Sequence, residues 1–288
     1  MTRRSESSSG SHDMRLYIHH RTDYRFSEPQ DRVVQLLRLT PGSHVGQNVV
    51  DWRIDVDCNA RLRGGRDGFG NEIAMLYVDG PAMAVSLTVT GEVLTEDRAG
   101  MVAGTIETLP PPLYVRPSPL TGPSDAIRAL AMEVVGGGGP TLDQVHRLME
   151  LIHRRMRFQP ERRGDGRGAA AAFAEGRGGA ADFAHVMIAA ARLLGLPARY
   201  VSGHVFRAAY QHEWHEAAHA WAEIHIPDFG WIGFDATDNR CPDDRYVRVA
   251  IGLDYRDAAP VSGTRTGGGS EEMDVGVRVG LDQTQHQS

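Results

Sequence analysis

The stretch Gly176-Arg177-Gly178-Gly179-Ala180-Ala181-Asp182-Phe183-Ala184-His185 is the most informative part of this sequence. Its glycines permit a tight turn and a close approach of neighbouring backbone. Over residues 181–194 the apolar side chains then recur at helical spacing and form one stripe, made of Phe183, Val186, Met187, Ala190 and Leu194. Gly195-Leu196-Pro197 supplies the glycine and proline that commonly end a helix. The sequence therefore predicts a helix that begins directly after a glycine-rich turn.

Position 180 is the place on this helix where a thiol would be activated most strongly. Unpaired N–H groups and the positive dipole end at a helix N-terminus stabilise a thiolate, and a neighbouring imidazole adds to the effect. The position holds Ala180, whose methyl group cannot attack a carbonyl. Because alanine is the best helix former, we expect the helix to survive without the thiol.

Two downstream segments carry groups that could act with such a thiol. They read His219-Ala220-Trp221-Ala222-Glu223 and Gly230-Trp231-Ile232-Gly233-Phe234-Asp235, and a turn at 227–230 joins them. A hairpin would place His219 and Asp235 on neighbouring strands, where an imidazole and a carboxylate can meet. The histidine would deprotonate the thiol, and the aspartate would hold the imidazole in the useful tautomer.

These three segments resemble the core of the bacterial transglutaminase-like family, whose members share a papain-like Cys-His-Asp arrangement. The first motif of that family usually reads Gly-Val-Cys-Gln-Asp-Phe-Ala-His, which aligns the cysteine with Ala180 and the glutamine with Ala181. The resemblance implies that the other two catalytic positions are His219 and Asp235. It also leads us to expect a contribution to binding from Asp182, Trp221 and Trp231.

The resemblance and the missing thiol together imply a catalytically inactive homologue that keeps a peptide- or partner-binding cleft. We expect its partner to be a peptide or protein with an exposed acyl or amide group, or an active paralogue, and we expect no cofactor. The alternative is a hydrolase with a non-cysteine nucleophile, for which Ser202 is a candidate. Nothing in the local pattern brings Cys58 or Cys241 to the helix that carries Ala180.

A zinc site is a second alternative. His215-Glu216-Ala217-Ala218-His219 is an H-E-x-x-H motif, which on a helix places two imidazoles on one face for zinc. His225 falls at the spacing of a third ligand, although Ala222 stands where the long pattern has glycine. From residue 220 onward the alternation favours a strand, which opposes this interpretation.

Composition indicates a globular chain and disfavours several classes of function. The 288 residues are 41% hydrophobic, and the formal charge of −6 does not suggest a nucleic-acid binder. All 31 basic residues are arginine, so the chain cannot act as its own lysine acyl acceptor. The N-terminus lacks the apolar core of a signal peptide, and no run of about 20 apolar residues occurs. We therefore expect a cytoplasmic protein with no membrane partner.

The expected fold class is α+β, with a β-rich N-terminal domain before a papain-like transglutaminase core in which a helix packs on an antiparallel sheet. We predict a disordered tail over 1–13, the β-rich domain over 14–106 and the core with C-terminal strands over 123–288. Residues 107–122 read as a stiff, extended proline-rich linker. Predicted strands cover 14–20, 33–39, 49–56, 72–78, 84–90, 246–251 and 275–279, and helices begin near Ser124 and Thr141.

Overall fold

The computed structural model describes residues 13–162, 166–210 and 218–281. The predicted tail, up to residue 12, lies outside these ranges. The described strands, numbered along the chain, are β1 Met14–Leu37, β2 Gln47–Val56, β3 Ala60–Arg66, β4 Glu72–Thr95, β5 Met101–Val102, β6 Arg157–Phe158, β7 Arg177–Gly178, β8 Ala198–Val205, β9 His219–Ile226, β10 Gly230–Phe234, β11 Tyr246–Gly252, β12 Val261–Thr266 and β13 Glu271–Leu281. The described helices are α1 Asp125–Gly136, α2 Thr141–Arg155, α3 Ala169–Glu175, α4 Ala180–Leu193 and α5 Tyr255–Ala258.

The first sheet is built around two long antiparallel strands, β1 and β4. The sequence pattern had divided each of them into two shorter strands. β4 continues through Gly80-Pro81, and its pairing with β1 shifts register on both sides of Gln30. In β1 the inward positions 20 and 22 are His20 and Thr22, so the apolar alternation is interrupted although the strand continues. Because these two inward residues are polar, the alternation of apolar and polar side chains that indicates a strand is not visible in this part of the sequence.

The last two strands return to this first sheet. β13 pairs with residues 16–26 of β1, and β12 pairs with residues 32–37 of the same strand. The sequence analysis placed the C-terminal strands with the core, whereas their hydrogen bonds lie in the N-terminal sheet. These pairings cover one edge of β1 with residues that follow it by more than 200 positions, and local sequence carries no signal for such a contact.

The second sheet has the order β11-β8-β9-β10-β5, and its named pairings are antiparallel. Helix α4 is buried from Asp182 to Arg192 and contributes to a core that also contains Ile224 and Phe234 of this sheet. The same core includes residues of the first sheet, namely Leu16, Ile18, Val93, Val277 and Val279. The expected helix-on-sheet core is confirmed, and the two sheets share it.

The main helix predictions are confirmed. Ser124 accepts a hydrogen bond from the Ile127 backbone N–H at 3.3 Å and caps α1, and α2 begins at Thr141. The helix of the opening motif, α4, begins at Ala180, one residue earlier than the apolar stripe suggested. The sequence analysis missed α3, whose seven residues are too few to show a helical period.

The proline-rich segment 107–122 is packed and is not an extended spacer. It contains a 3₁₀ turn at Pro111–Val115, and Tyr114 and Thr121 are buried. The Arg192 guanidinium donates to the Tyr114 carbonyl at 2.8 Å and to Thr121 Oγ1 at 2.6 Å. A buried guanidinium needs such acceptors, and the segment supplies them.

We predict that Leu16→Ala destabilises the whole molecule in one transition, because Leu16 is fully buried in the core that both sheets share. A buried leucine truncated to alanine loses about 2–5 kcal/mol. Leu62→Ala is the matched control, since Leu62 lies in the same sheet but is 41% exposed, and its loss should stay within about 0.5 kcal/mol. Urea unfolding followed by circular dichroism measures both. Two separate transitions in Leu16→Ala would contradict a shared core.

Candidate functional site

The start of α4 is held by close backbone contacts. The short strands β6 and β7 pair in parallel, and the Gln159 N–H donates to the Gly178 carbonyl at 2.8 Å. A Cβ at Gly179 would lie 2.2 Å from the Arg162 carbonyl oxygen, so only glycine fits there. Asp182 Oδ2 accepts from the Gly179 N–H at 3.0 Å and from Arg167 at 2.6 Å. These contacts fix the helix N-terminus at which Ala180 stands.

His219 and Asp235 form the pair that the hairpin predicted. His219 Nε2 lies 2.6 Å from Asp235 Oδ2, and both side chains are buried. Asp235 also accepts from the Tyr246 hydroxyl at 2.8 Å, the Thr237 hydroxyl at 2.6 Å and the Thr237 N–H at 2.9 Å. The carboxylate therefore has four hydrogen-bond donors from β9, β11 and the turn after β10.

The environment of Asp235 keeps its carboxylate ionised. Burial alone raises the pKa of this group, but the charge and hydrogen bond of His219, with hydrogen bonds from Thr237 and Tyr246, lower it to about 2. An ionised carboxylate can only accept, so it takes the Nε2–H of His219. With Nε2 engaged by Asp235, Nδ1 is the imidazole nitrogen left to face a nucleophile.

A cavity of about 170 Å³ lies at the head of α4. Ala180, Ala181 and His219 line it, so the position of the missing nucleophile and its base share one cavity. The first sheet supplies much of the remaining wall, through His20, Thr22, Tyr24, Met273, Val275, Val277 and Val279. The N-terminal sheet is therefore part of the site itself and is more than a platform beside it.

The three residues expected to bind a ligand do not line this cavity. Asp182 caps α4 and pairs with Arg167. Trp221 packs edge-on against Tyr246, with ring centroids 5.4 Å apart, and Trp231 lies 3.9 Å under the Arg199 guanidinium. Their partners are protein side chains, because the two indoles fill the inner faces of a sheet that is buried on both sides.

Arg199 belongs to a buried ion network that sequence analysis did not detect. It donates to Glu223 at 2.6 Å and to Glu107 at 2.7 Å, and Arg248 also donates to Glu223 at 2.7 Å. These four residues come from separate parts of the chain, so no local sequence motif predicts the network. The network orders the sheet behind the site and explains why Glu223 lies fully buried in the His219 motif.

Within the described ranges, the structure does not orient an alternative nucleophile toward His219. The Ser202 hydroxyl lines the cavity but has no hydrogen-bond partner, so it is not oriented by the imidazole. Neither Cys58 nor Cys241 lines the cavity. Burial raises the pKa of both thiols, helped by Asp57 at Cys58 and by Asp97 at Cys241, where the pKa reaches about 11. Both are protonated at neutral pH and are poor nucleophiles.

The zinc alternative does not fit the backbone at its second histidine. His215 and Glu216 lie outside the described residues, whereas His219 begins strand β9 and uses Nε2 for Asp235. His225 lies six residues along the same strand, about 20 Å away, so the two imidazoles cannot share one ion. Among the residues with described positions, no group of three or more His, Cys, Asp and Glu side chains is arranged to hold a metal.

The sequence analysis did not identify most residues of the cavity wall as site residues, and among these are His20, Thr22, Tyr24 and His204. The sequence does contain a signal for the first three. Positions 20, 22 and 24 lie on the inward face of β1 and carry polar groups, whereas the inward positions before and after them are apolar. His204 was visible only as one of several nearby histidines. His204 becomes part of the cavity wall because β1 packs opposite it. The ring centroids of His204 and His20 are 5.9 Å apart.

Comparison with known proteins agrees with this fold. The model of the Transglutaminase-like superfamily matches residues 128–236, and that of the Bacterial transglutaminase-like N-terminal region matches residues 16–94. An uncharacterised protein of Mycobacterium tuberculosis is 28% identical over 306 residues, covering 94% of this chain and 93% of its own length. An uncharacterised protein of Mycobacterium leprae is 26% identical over 276 residues, covering 92% of this chain and 98% of its own.

A solved structure has the same overall fold. It is that of a candidate cysteine protease from Cytophaga hutchinsonii, with a TM-score of 0.76, 22% identity, and coverage of 96% of this chain and 93% of the other. The chain is thus a mixed α+β protein with a transglutaminase-like core that resembles a cysteine-protease fold. Over the described ranges, each helix is too short or too polar to cross a bilayer.

We predict that His204 makes the protein less stable in acid. Burial is the main cause that lowers its pKa from 6.5 to about 3, with smaller contributions from His20 and His219. Between these two values the unfolded chain binds a proton that the folded chain does not, so stability is lost as the pH falls. One such group contributes a slope of about 1.4 kcal/mol per pH unit.

Urea unfolding of His204→Asn, at several pH values from 6.5 downward, should show a slope smaller by about that amount. Ser202→Ala is the control, because it changes the same strand and cavity without removing a titrating group. An identical slope in His204→Asn and the unaltered protein would contradict the prediction.

Proposed function

We propose that this protein is a transglutaminase-like binding protein that performs no covalent chemistry and uses the cavity at the head of α4 to hold its partner. The observation that carries the proposal is the placement of Ala180 in the same cavity as His219, whose Nε2 is engaged by Asp235. The imidazole that would act as the base and the carboxylate that orients it are both in place. The side chain at the position of the nucleophile is the methyl group of Ala180.

Chemistry supports binding in preference to turnover. Acyl transfer in a Cys-His-Asp arrangement begins with attack by a thiolate, and alanine has no electron pair to offer. Ser202, Cys58 and Cys241 provide no oriented replacement, for the reasons given above. The partner we propose is a peptide or protein that presents an acyl or amide group, or an active paralogue of this chain.

The decisive experiment restores the thiol. In Ala180→Cys the introduced thiol lies at a helix N-terminus beside His219, which lowers its pKa. Its alkylation by iodoacetamide should be roughly 5-fold faster than that of an ordinary thiol at about pH 6, because ionisation outweighs the lower nucleophilicity of an acidic thiolate. The rate should change little between about pH 6 and pH 8, whereas an ordinary thiol gains nearly tenfold per unit.

Two controls make the measurement specific. Ala174→Cys places a thiol on the exposed side of α3, and the unaltered protein reports the background of Cys58 and Cys241. Adding His219→Ala to Ala180→Cys should shift the pH dependence toward that of an ordinary thiol, because only the contribution of the helix N-terminus remains. The proposal fails if the unaltered protein hydrolyses acyl or amide probes, and also if the thiol at 180 behaves like the one at 174.

A further inference from the structure

Three buried polar atoms around the cavity have no hydrogen-bond partner among the residues that the structure describes. They are Nδ1 of His20, Nδ1 of His204 and Oγ of Ser202, and their residues are 2%, 4% and 3% exposed. Ser202 and His204 lie two residues apart on β8, and His20 faces them from β1 in the other sheet. The three residues therefore line one cavity from both sheets.

Such a cluster is costly for the protein alone. A buried polar group without a partner costs about 1–3 kcal/mol, and native proteins contain few of them. The His20 ring already uses Nε2 for Thr22 Oγ1 at 3.2 Å, which leaves Nδ1 for a partner outside the protein. Three unsatisfied groups in one cavity therefore indicate a ligand that supplies both a donor and an acceptor.

The interior of the cavity is uncharged. Burial, followed by the charge of His19, lowers the pKa of His20 to about 4. Burial, followed by the charges of His20 and His219, lowers the pKa of His204 to about 3, so both rings are neutral at pH 7. Among the described residues, the guanidiniums that line the cavity are those of Arg207 and Arg162. Arg207 donates to Asp238 at 2.8 Å, and Arg162 donates at 3.4 Å to Glu175, which Arg167 and Arg177 also contact. An ionic ligand would lose its hydration without gaining a free counter-charge.

The remaining walls are apolar and aromatic. β13 contributes a row of side chains on one side, and aromatic rings from β8 and α5 and from the segment after α2 face it: Met273, Val275, Val277, Val279, Tyr200, Tyr255 and Phe158. The volume of about 170 Å³ is close to that of an engineered cavity of about 150 Å³ that holds benzene. The space suits a single ring or a branched aliphatic group.

We propose that the cavity, formed between β1 and β13 of one sheet and β8 and α4 of the core, binds an uncharged group of single-ring size that carries one amide or hydroxyl. This inference rests on the proposed function, because it describes what the binding site accepts. The amide or hydroxyl hydrogen-bonds with His20, His204 and Ser202, and the ring packs against β13. A cavity filled only with water would satisfy the polar atoms but would leave the apolar walls without a partner.

Four single-ring probes of similar size test the proposal: neutral and polar benzamide, anionic benzoate, cationic benzamidinium, and neutral and apolar ethylbenzene. Each is titrated into Ala180→Cys, and its protection of the introduced thiol from iodoacetamide gives an apparent dissociation constant. We expect benzamide to protect best, with benzoate and benzamidinium at least about 10-fold weaker because their charges are desolvated. Ethylbenzene should also bind more weakly than benzamide, because it leaves the three polar atoms unsatisfied.

A second substitution assigns the effect to the polar cluster. Adding Ser202→Ala to Ala180→Cys should weaken benzamide by roughly 5-fold, which is the effect of about one hydrogen bond, and should leave ethylbenzene unchanged. Ser270→Ala is the matched control, since Ser270 is exposed in the loop between β12 and β13. Unchanged benzamide protection in the Ser202 variant would overturn the assignment of the hydroxyl to the ligand.

The outcomes separate this inference from the proposed function. Equal protection by all four probes, or strongest protection by benzoate, benzamidinium or ethylbenzene, overturns the ligand class while the rapid alkylation of the thiol still supports the function. Saturation-transfer NMR with the unaltered protein tests the same probes without an introduced thiol. Benzamide signals that show no transfer from the protein there would overturn the inference, whatever the thiol at position 180 does.

Discussion

The period of two along strand β1 is the constraint on which the site depends. Its even-numbered side chains from Leu16 to Phe26 all face inward. The register with β13 is continuous over this span, and the register with β4 is continuous as far as Arg25. Their chemistry changes along the strand. Leu16 and Ile18 join the core shared with α4, His20 and Thr22 reach the cavity, and Tyr24 and Phe26 enter the core of the first sheet. One strand thus passes from core to cavity to core, and a shift of one residue would turn the cavity histidine to the opposite face.

The pairing of His219 with Asp235 is stable without any catalytic role. The carboxylate is fully buried, and four hydrogen bonds from three residues satisfy it. Removing a hydrogen-bond donor from a buried carboxylate is costly, because the remaining charge loses part of its compensation. The two residues are therefore held in place by the fold, and their presence does not require that the protein carry out acyl transfer. The nucleophile is different, since an alanine at the start of α4 satisfies every local requirement of the helix.

The cavity differs from the His219–Asp235 pair, because its buried polar groups lower the stability of the fold. Its histidines and Ser202 bring polar atoms into a buried space without partners, although apolar side chains of similar size would have filled it at lower cost. Stability explains the His219–Asp235 pair, and it does not explain this cluster. The contrast between a satisfied pair and an unsatisfied cavity, only a few side chains apart, is the physical basis for a binding function at a site that lacks a nucleophile.

The sequence by itself determined the features that depend on neighbouring residues. These are the capped helix α1, the helix that begins at Ala180 after its glycines, and the hairpin that brings His219 to Asp235, because caps, turns and periodicity act within a few residues. Only the tertiary structure decided that β12 and β13 complete the first sheet, that the proline-rich segment packs against Arg192, and that His20 meets His204 in the cavity. Each of these contacts joins residues 70 or more positions apart. Their partners are selected by burial and by the need to satisfy buried polar groups, which no local pattern encodes.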